Sequence, residues 1–239
     1  MVLEGAQDRA FGHVDEAHYR WVTEHPYVAE RERELTEAAF APLGERVLDI
    51  GCGEGTTLHH LGAPPGAVGI DASEAKIAFC RAHVPGPRFE VGDAQNLAFA
   101  DESFDHVIVR DVIHHLPDPP RFVAEAARVL VPGGRLDVLE PCAFNPLVAL
   151  HGMLLPEERG ELRSTPRYLE GLLAAGFDDL VVTKLCPMPL HRMVFHPRFG
   201  RPGWGDAERW VATAEQAMAS LLPSTLWSYI HLRGFRRRR

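Results

Sequence analysis

The chain has 239 residues, 46% of them hydrophobic and 24% charged, and 25 Lys and Arg against 33 Asp and Glu leave a formal net charge of −8. That length can bury a core without disulfide or metal staples, and at ~150 residues per domain it predicts one α/β domain with a decorated edge. The acidic balance repels a phosphate backbone, so nucleic acid is not an expected partner, and the run Arg236 to Arg239 reads as a solvated tail.

Cys52, Cys80, Cys142 and Cys186 lie far apart with no Cys-x-x-Cys pair, the pattern of reduced thiols in a cytoplasmic protein. No run reaches the ~18 apolar residues of a membrane span, and the opening MVLEGAQDRAFG has neither a basic leader nor an apolar core. Integral membrane association is therefore not expected, and nothing in the sequence sets an oligomeric state.

In chain order, residues 1–43 read as a helical arm or lid, with Glu30, Arg31, Glu32, Arg33 and Glu34 on an exposed face and Leu35, Ala38, Ala39 and Phe40 on a buried one. Tyr19 and Trp21 upstream either anchor this arm or line a substrate site. From 44 to 141, short apolar runs alternate with helix-like segments, which predicts a parallel sheet covered on both faces. The candidate strands are 46–50, 67–70, 88–91, 104–109 and 134–139. Ser73 is placed to cap a helix running to about His83. Pro119 and Pro120 open another that reaches Leu130, with Phe122, Ala126, Val129 and Leu130 inward, and Pro132-Gly133-Gly134 turns the chain into the next strand.

Residues 142–239 complete the same domain. Ser164-Thr165-Pro166 starts a helix that stops at Gly176, Phe177 to Leu185 reads as a strand, and Leu226 to Leu232 reads as the last one. Between them an irregular stretch at 186–204, rich in Pro, His and aromatics, and a helix at about Asp206 to Leu222 form a substrate-lining insert over about 186–222. His191, Phe195 and Trp204 in that insert, and Phe144 in the apolar run after the fifth strand, are candidate lining residues that suggest an apolar or aromatic acceptor. The Ala143 to Leu155 run is apolar enough to rest on a membrane surface, but few basic residues flank it.

The strongest local signal is VLDIGCGEG at 47–55, a strand ending in a glycine turn that opens a helix. Glycine lets the backbone approach a ligand closely, and Asp71, at the end of the second strand, stands where a carboxylate can accept hydrogen bonds from both ribose hydroxyls. A dinucleotide site expects G-x-G-x-x-G; here the glycines fall at 51, 53 and 55, position 56 is Thr, and Glu54 would repel a pyrophosphate. The turn suits a cofactor without phosphate and with a cationic reactive centre, which disfavours a nicotinamide-dependent oxidoreductase.

Together with GIDAS at 69–73, VGDAQNLAFADESFDHVIVRDVIHHLPDP at 91–119 and ARVLVPGGRL at 127–136, this motif resembles the class I S-adenosylmethionine-dependent methyltransferases. The resemblance covers about residues 45–140, within the methyltransferase type 11 group that also includes ubiquinone-biosynthesis enzymes. It implies a Rossmann-like, mostly parallel seven-stranded sheet with helices on both faces and an inserted cap. It further implies that Gly51, Cys52 and Gly53 lie against the methionyl part and sugar, that Asp71 holds the ribose, and that Ala72 flanks the adenine. Asp93 and the Ala94 backbone would reach the adenine amino edge, Arg110 the methionyl side, and Asp49 would organise the site indirectly. His115 is a further cofactor contact in that pattern.

Methyl transfer needs a nucleophile aligned with the sulfonium methyl and, where the nucleophile carries a proton, a group to remove it. Asp111, His114 and His115, where the fourth strand ends, are the candidates. No metal is expected, because no carboxylate or other third ligand has an obvious place beside the His-His pair. The favoured reading is methylation of a small acceptor on O, N or C, a secondary metabolite or quinone-like compound. An RNA or protein methyltransferase, and a catalytically silent cofactor-binding scaffold, are the alternatives.

Overall fold

The computed structural model describes residues 12–196 and 205–238. The arm is two helices, α1 (Glu16–Glu24) and α2 (Pro26–Phe40). The body then runs β1 (Val47–Ile50), α3 (Thr56–His60), β2 (Val68–Asp71), α4 (Glu74–His83), β3 (Arg88–Val91), β4 (Phe104–Arg110), α5 (Pro119–Val129) and β5 (Leu130–Pro141). It continues through α6 (Pro146–Leu154), α7 (Pro166–Leu173), β6 (Phe177–Leu185), α8 (Leu190–Val194), α9 (Gly205–Leu221) and β7 (Tyr229–Arg236). The strands form one seven-stranded sheet in the order β3-β2-β1-β4-β5-β7-β6, parallel up to β5, with β7 antiparallel to both β5 and β6.

Period-two alternation decides which core each strand residue enters. Leu48 and Ile50 of β1, Val107 and Val109 of β4, and Leu136 and Val138 of β5 pack on one face under Phe122, Val123, Ala126 and Val129 of α5. Val47, Ile108 and Leu139 point the other way, against Phe40 of α2 and Leu58 of α3. Side-chain caps start the helices as expected: Ser73 Oγ accepts from Lys76 N at 3.3 Å, and Asp118 and Thr165 cap helices that open on proline.

Several expectations shift. Glu32 is only 2% exposed, because two guanidiniums enclose it, while Ala38 is exposed. The fifth strand begins at Leu130, which pairs with Phe104 before the register slips and Arg135 pairs with His106. The 186–204 stretch contains the short helix α8, and the last strand begins only at Tyr229, after a 3-10 turn at Ser224–Leu226. Among the described residues no helix is long and apolar enough to cross a membrane.

Candidate active site

The strand order reverses between β1 and β4, so a crevice opens beyond their carboxyl ends, the place where open α/β sheets bind ligands. The crevice is a cleft of about 2130 Å³. That exceeds the ~300–1,000 Å³ of an ordinary small-molecule pocket and leaves room for a cofactor and an acceptor together.

Its floor is the turn after β1. Gly51 and Gly53 have φ of 74° and 55°, and the Gly51 and Cys52 amides both donate to the Ile70 carbonyl at 2.8 Å. A Cβ on Gly51 would stand 2.4 Å from Val112 Cγ2, whereas one on Gly53 would meet nothing within 4 Å. The first glycine is fixed by packing; the second leaves open space that a ligand can fill. Asp71 is held by backbone donors: its Oδ2 accepts from Gly53 N at 3.0 Å and its Oδ1 from Ser73 N at 2.9 Å. The arm lies over this loop, since Asp15 N donates to Glu54 Oε1 at 3.2 Å and Ser73 Oγ donates to the Gly12 carbonyl at 2.8 Å.

The donor set fits S-adenosylmethionine. Asp49 is buried and its Oδ2 has no hydrogen-bond partner among the described residues. Burial pushes its carboxyl up to about 7, against Arg110 and with help from Asp71. Carboxylates at 49, 54 and 71 around the turn favour a cation and disfavour a pyrophosphate. Asp93 and Ala94 also line this end; Asp93 Oδ1 accepts from Gln95 N at 2.8 Å, so the residue shapes its own turn as well. Ala72 and Cys52 complete the same wall.

Beyond β4 the chain turns sharply at Asp111, φ 55°. Buried Glu140 organises the turn: its Oε1 accepts from Val112 N at 2.8 Å and Ile113 N at 2.7 Å, and its Oε2 accepts from His114 Nδ1 at 2.6 Å. Burial opposes a charge on His114, yet the Glu140 and Glu158 carboxylates push its imidazole up to about 10. His115 is pushed down to about 4 by burial and by neighbouring His114. At neutral pH His114 is thus a cation and His115 is neutral, so only His115 of the two can accept a proton. Burial also raises the Asp111 carboxyl, against the pull of Arg110 and Arg192.

The opposite wall brings together residues far apart in the chain. Glu32 on α2 accepts from Arg110 Nη2 at 2.7 Å, and from Arg192 Nε at 2.6 Å and Nη2 at 2.8 Å. Burial would raise the Glu32 carboxyl, but the Arg192 and Arg110 guanidiniums hold it well below the usual carboxylate range. Arg192 Nη1 also donates to Tyr229 Oη at 2.8 Å, which in turn donates to Asp111 Oδ2 at 3.3 Å. Arg110 therefore lines the cleft with its fork tied to the arm.

Of the expected lining residues, Trp21 faces the cleft, joined by Leu147, Val148, Leu150 and Leu154 of α6 and by Met193. Tyr19 does not: two residues from Trp21 on a helix, it points to another face and packs edge-on against Phe79 at 4.9 Å. Phe144 stands outside, 52% exposed. His191 is buried between Glu215, with Nδ1 2.7 Å from Oε1, and Glu32. Phe195 packs against Tyr27 in a separate cluster. Trp204 lies outside the described residues. Sequence reasoning missed His18, Glu32, His60, Glu158, Arg192 and Tyr229, all in the cleft; no motif marks them, and Glu32, Glu158, Arg192 and Tyr229 are brought in by long-range contacts.

Residues 48–138 match the family described as Methyltransferase domain. The chain is 44% identical over 98 residues to the phthiotriol/phenolphthiotriol dimycocerosates methyltransferase of Mycobacterium leprae, a match covering 39% of this chain and 36% of that relative. The match thus spans about a third of the relative's length. Among solved structures, the fold is similar to a possible histamine N-methyltransferase from Thermotoga maritima, at TM-score 0.66 and 22% identity over 92% of this chain and 95% of that one. It is also similar to phosphoethanolamine N-methyltransferase 2 of Haemonchus contortus in complex with S-adenosyl-L-methionine, at TM-score 0.65 and 18% identity over 92% and 56%. Glycine turn, Asp71, sheet order and sequence match agree: residues 48–138 are a methyltransferase domain, carried in a chain with the class I S-adenosylmethionine-dependent methyltransferase fold.

Proposed function

We propose that the chain transfers the methyl group of S-adenosylmethionine to O, N or C of a small, apolar or aromatic acceptor. The observation that carries this reading is the continuity of one cleft from the glycine turn and Asp71 to an apolar wall built by Trp21 and α6. When bound, the cofactor supplies an electrophilic sulfonium methyl together with its own leaving group. The chain's residues bind, orient and shield. Asp71 holds the ribose hydroxyls, the Gly51–Gly53 backbone faces the methionyl end with buried Asp49 behind it, and Asp93 with Ala94 takes the adenine edge. The arm over Glu54 and Ser73 excludes water from the transfer.

His115 is the group that takes a proton from a hydroxyl or ammonium acceptor, being neutral at pH 7; protonated His114 holds the turn against Glu140. The acceptors named for the mycobacterial relatives are small molecules, which favours this reading over an RNA or protein substrate. The test is turnover with S-adenosylmethionine against a panel of apolar hydroxylated and phenolic compounds, read by mass spectrometry. Methylated product from at least one such compound, with none from RNA or peptide pools, is the expected result; modification confined to the macromolecules would overturn the acceptor class.

A further inference from the structure

His114 and His115 end the turn after β4, and Glu158 reaches them from the 3-10 segment Pro156–Arg163, which follows α6. Glu158 Oε2 lies 3.5 Å from His114 Nε2 and 3.7 Å from His115 Nε2, and the ligand-capable atoms of the three residues all lie within 4.8 Å of one another. Good hydrogen bonds bring such atoms to ~2.9 Å. Donors that share a tetrahedral ion at ~2.0–2.1 Å instead stand ~3.3 Å apart, closer to the two distances that Glu158 makes.

The rest of the arrangement is that of a built site. Glu140, fully buried, accepts hydrogen bonds from His114 Nδ1 and from two backbone amides, which aims Nε2 of His114 at Glu158; an ion bound there displaces the Nε2 proton to solvent while the Nδ1 hydrogen bond to Glu140 stays. A carboxylate behind a ligating histidine is the usual outer-shell support of a metal ligand. The 3-10 segment is seated against the turn at Gly160, where a Cβ would stand 1.8 Å from the His114 carbonyl oxygen, so only glycine permits the approach that delivers Glu158. All three side chains line the cleft. His151, Glu158 and Glu161 also bring ligand-capable atoms within 4.8 Å of one another, but His151 and Glu161 are already joined to each other at 3.1 Å.

We propose that His114, His115 and Glu158 form a binding site for one divalent transition-metal ion of the Zn2+ type, with its open coordination position facing the acceptor end of the cleft. Two imidazoles and one carboxylate leave at least one position for water or an acceptor oxygen, the pattern of open rather than closed metal sites. An oxygen-bearing acceptor would be held there by its oxygen; with Nε2 of His115 on the ion, that acceptor would lose its proton to solvent because the ion lowers its pKa, in place of the transfer to His115 in the ion-free protein. That placement of the acceptor rests on the methyl-transfer reading; binding of the ion does not.

The test uses the full chain, stripped with a chelator that is then removed, and titrated with Co2+ as a visible-absorption probe and with Zn2+ as competitor. One Co2+ per chain, displaced by Zn2+, is expected. His115→Ala and Glu158→Gln should each weaken binding more than about tenfold, and His151→Gln less than about threefold, with thermal melts confirming that each variant folds. No ion bound by the folded wild type, affinity unchanged in both His115→Ala and Glu158→Gln, or an equal loss in His151→Gln would each overturn the assignment. Titration of the same wild-type sample with S-adenosylhomocysteine keeps the two readings apart: nucleoside binding without the ion sinks this site alone, and the ion without the nucleoside sinks the methyl-transfer reading alone.

Discussion

The two ends of the cleft are made differently. The cofactor end comes from three neighbouring strand ends, β1, β2 and β3, and from turns whose backbone is in contact with them: Gly51 and Cys52 on Ile70, Gly53 on Asp71, Gly92 on Asp71. The acceptor end has no such continuity. It is assembled from α1, α2, the turn after β4, α6, the 3-10 segment after it and α8, joined by side chains such as Glu32, Arg110 and Arg192. A nucleoside is recognised by backbone geometry that a short motif can specify, whereas the acceptor wall is free to change through tertiary contacts.

Two buried carboxylates, one at each end, have linkage of opposite signs. Glu32, at the acceptor end, has a depressed folded-state pKa, so it contributes stability above its unfolded value of ~4.3 that is lost as pH falls through the folded one. Glu32→Gln leaves two guanidiniums without their shared counter-charge and should cost about 3–5 kcal/mol at pH 7, measured by urea unfolding, with the acid limb of the stability profile flattened. Asp49, at the cofactor end, is raised by burial to about 7. Its contribution is fully present below the unfolded value of ~3.9 and is lost as pH rises through about 7, so Asp49→Asn should flatten the profile over that window. A parallel pH dependence in the two variants would break the contrast.

Smaller effects follow from the floor of the cleft. Gly51→Ala places a Cβ against Val112 at a positive φ and should lose about 1–3 kcal/mol of stability together with most nucleoside affinity. Asp71→Ala should weaken S-adenosylhomocysteine binding by at least about 1 kcal/mol, the scale of a lost charge-assisted hydrogen bond, seen by calorimetry. Phe144→Ala, at a half-exposed position outside the cleft, should change stability by no more than about 0.5 kcal/mol and leave nucleoside affinity unaltered.

The same division explains what was legible in the sequence. Strand runs such as 104–109, the caps Ser73 and Thr165, and the inward set Phe122, Ala126 and Val129 are local patterns, and the structure places them as expected. Gly51, Gly53 and Asp71 sit at strand ends, where chemistry and turn geometry coincide. Glu32 was misread because five consecutive charges look like a solvated face; only the folded arrangement supplies Arg110 and Arg192 to neutralise it. Glu158 carries no signal at all, since its meaning comes from Gly160 docking on His114. His191 and Phe195 are aromatic and lie in the insert, yet they pack between it and the arm, because residue type alone does not say which way a side chain points.

The most direct measurement is a calorimetric titration of the purified full chain with S-adenosylhomocysteine, beside NAD, after mass spectrometry has shown the sample free of carried-over nucleoside. One-to-one micromolar binding of S-adenosylhomocysteine, with none of NAD, is the predicted result. A folded, nucleoside-free sample that binds neither, or binds NAD alone, would contradict the account.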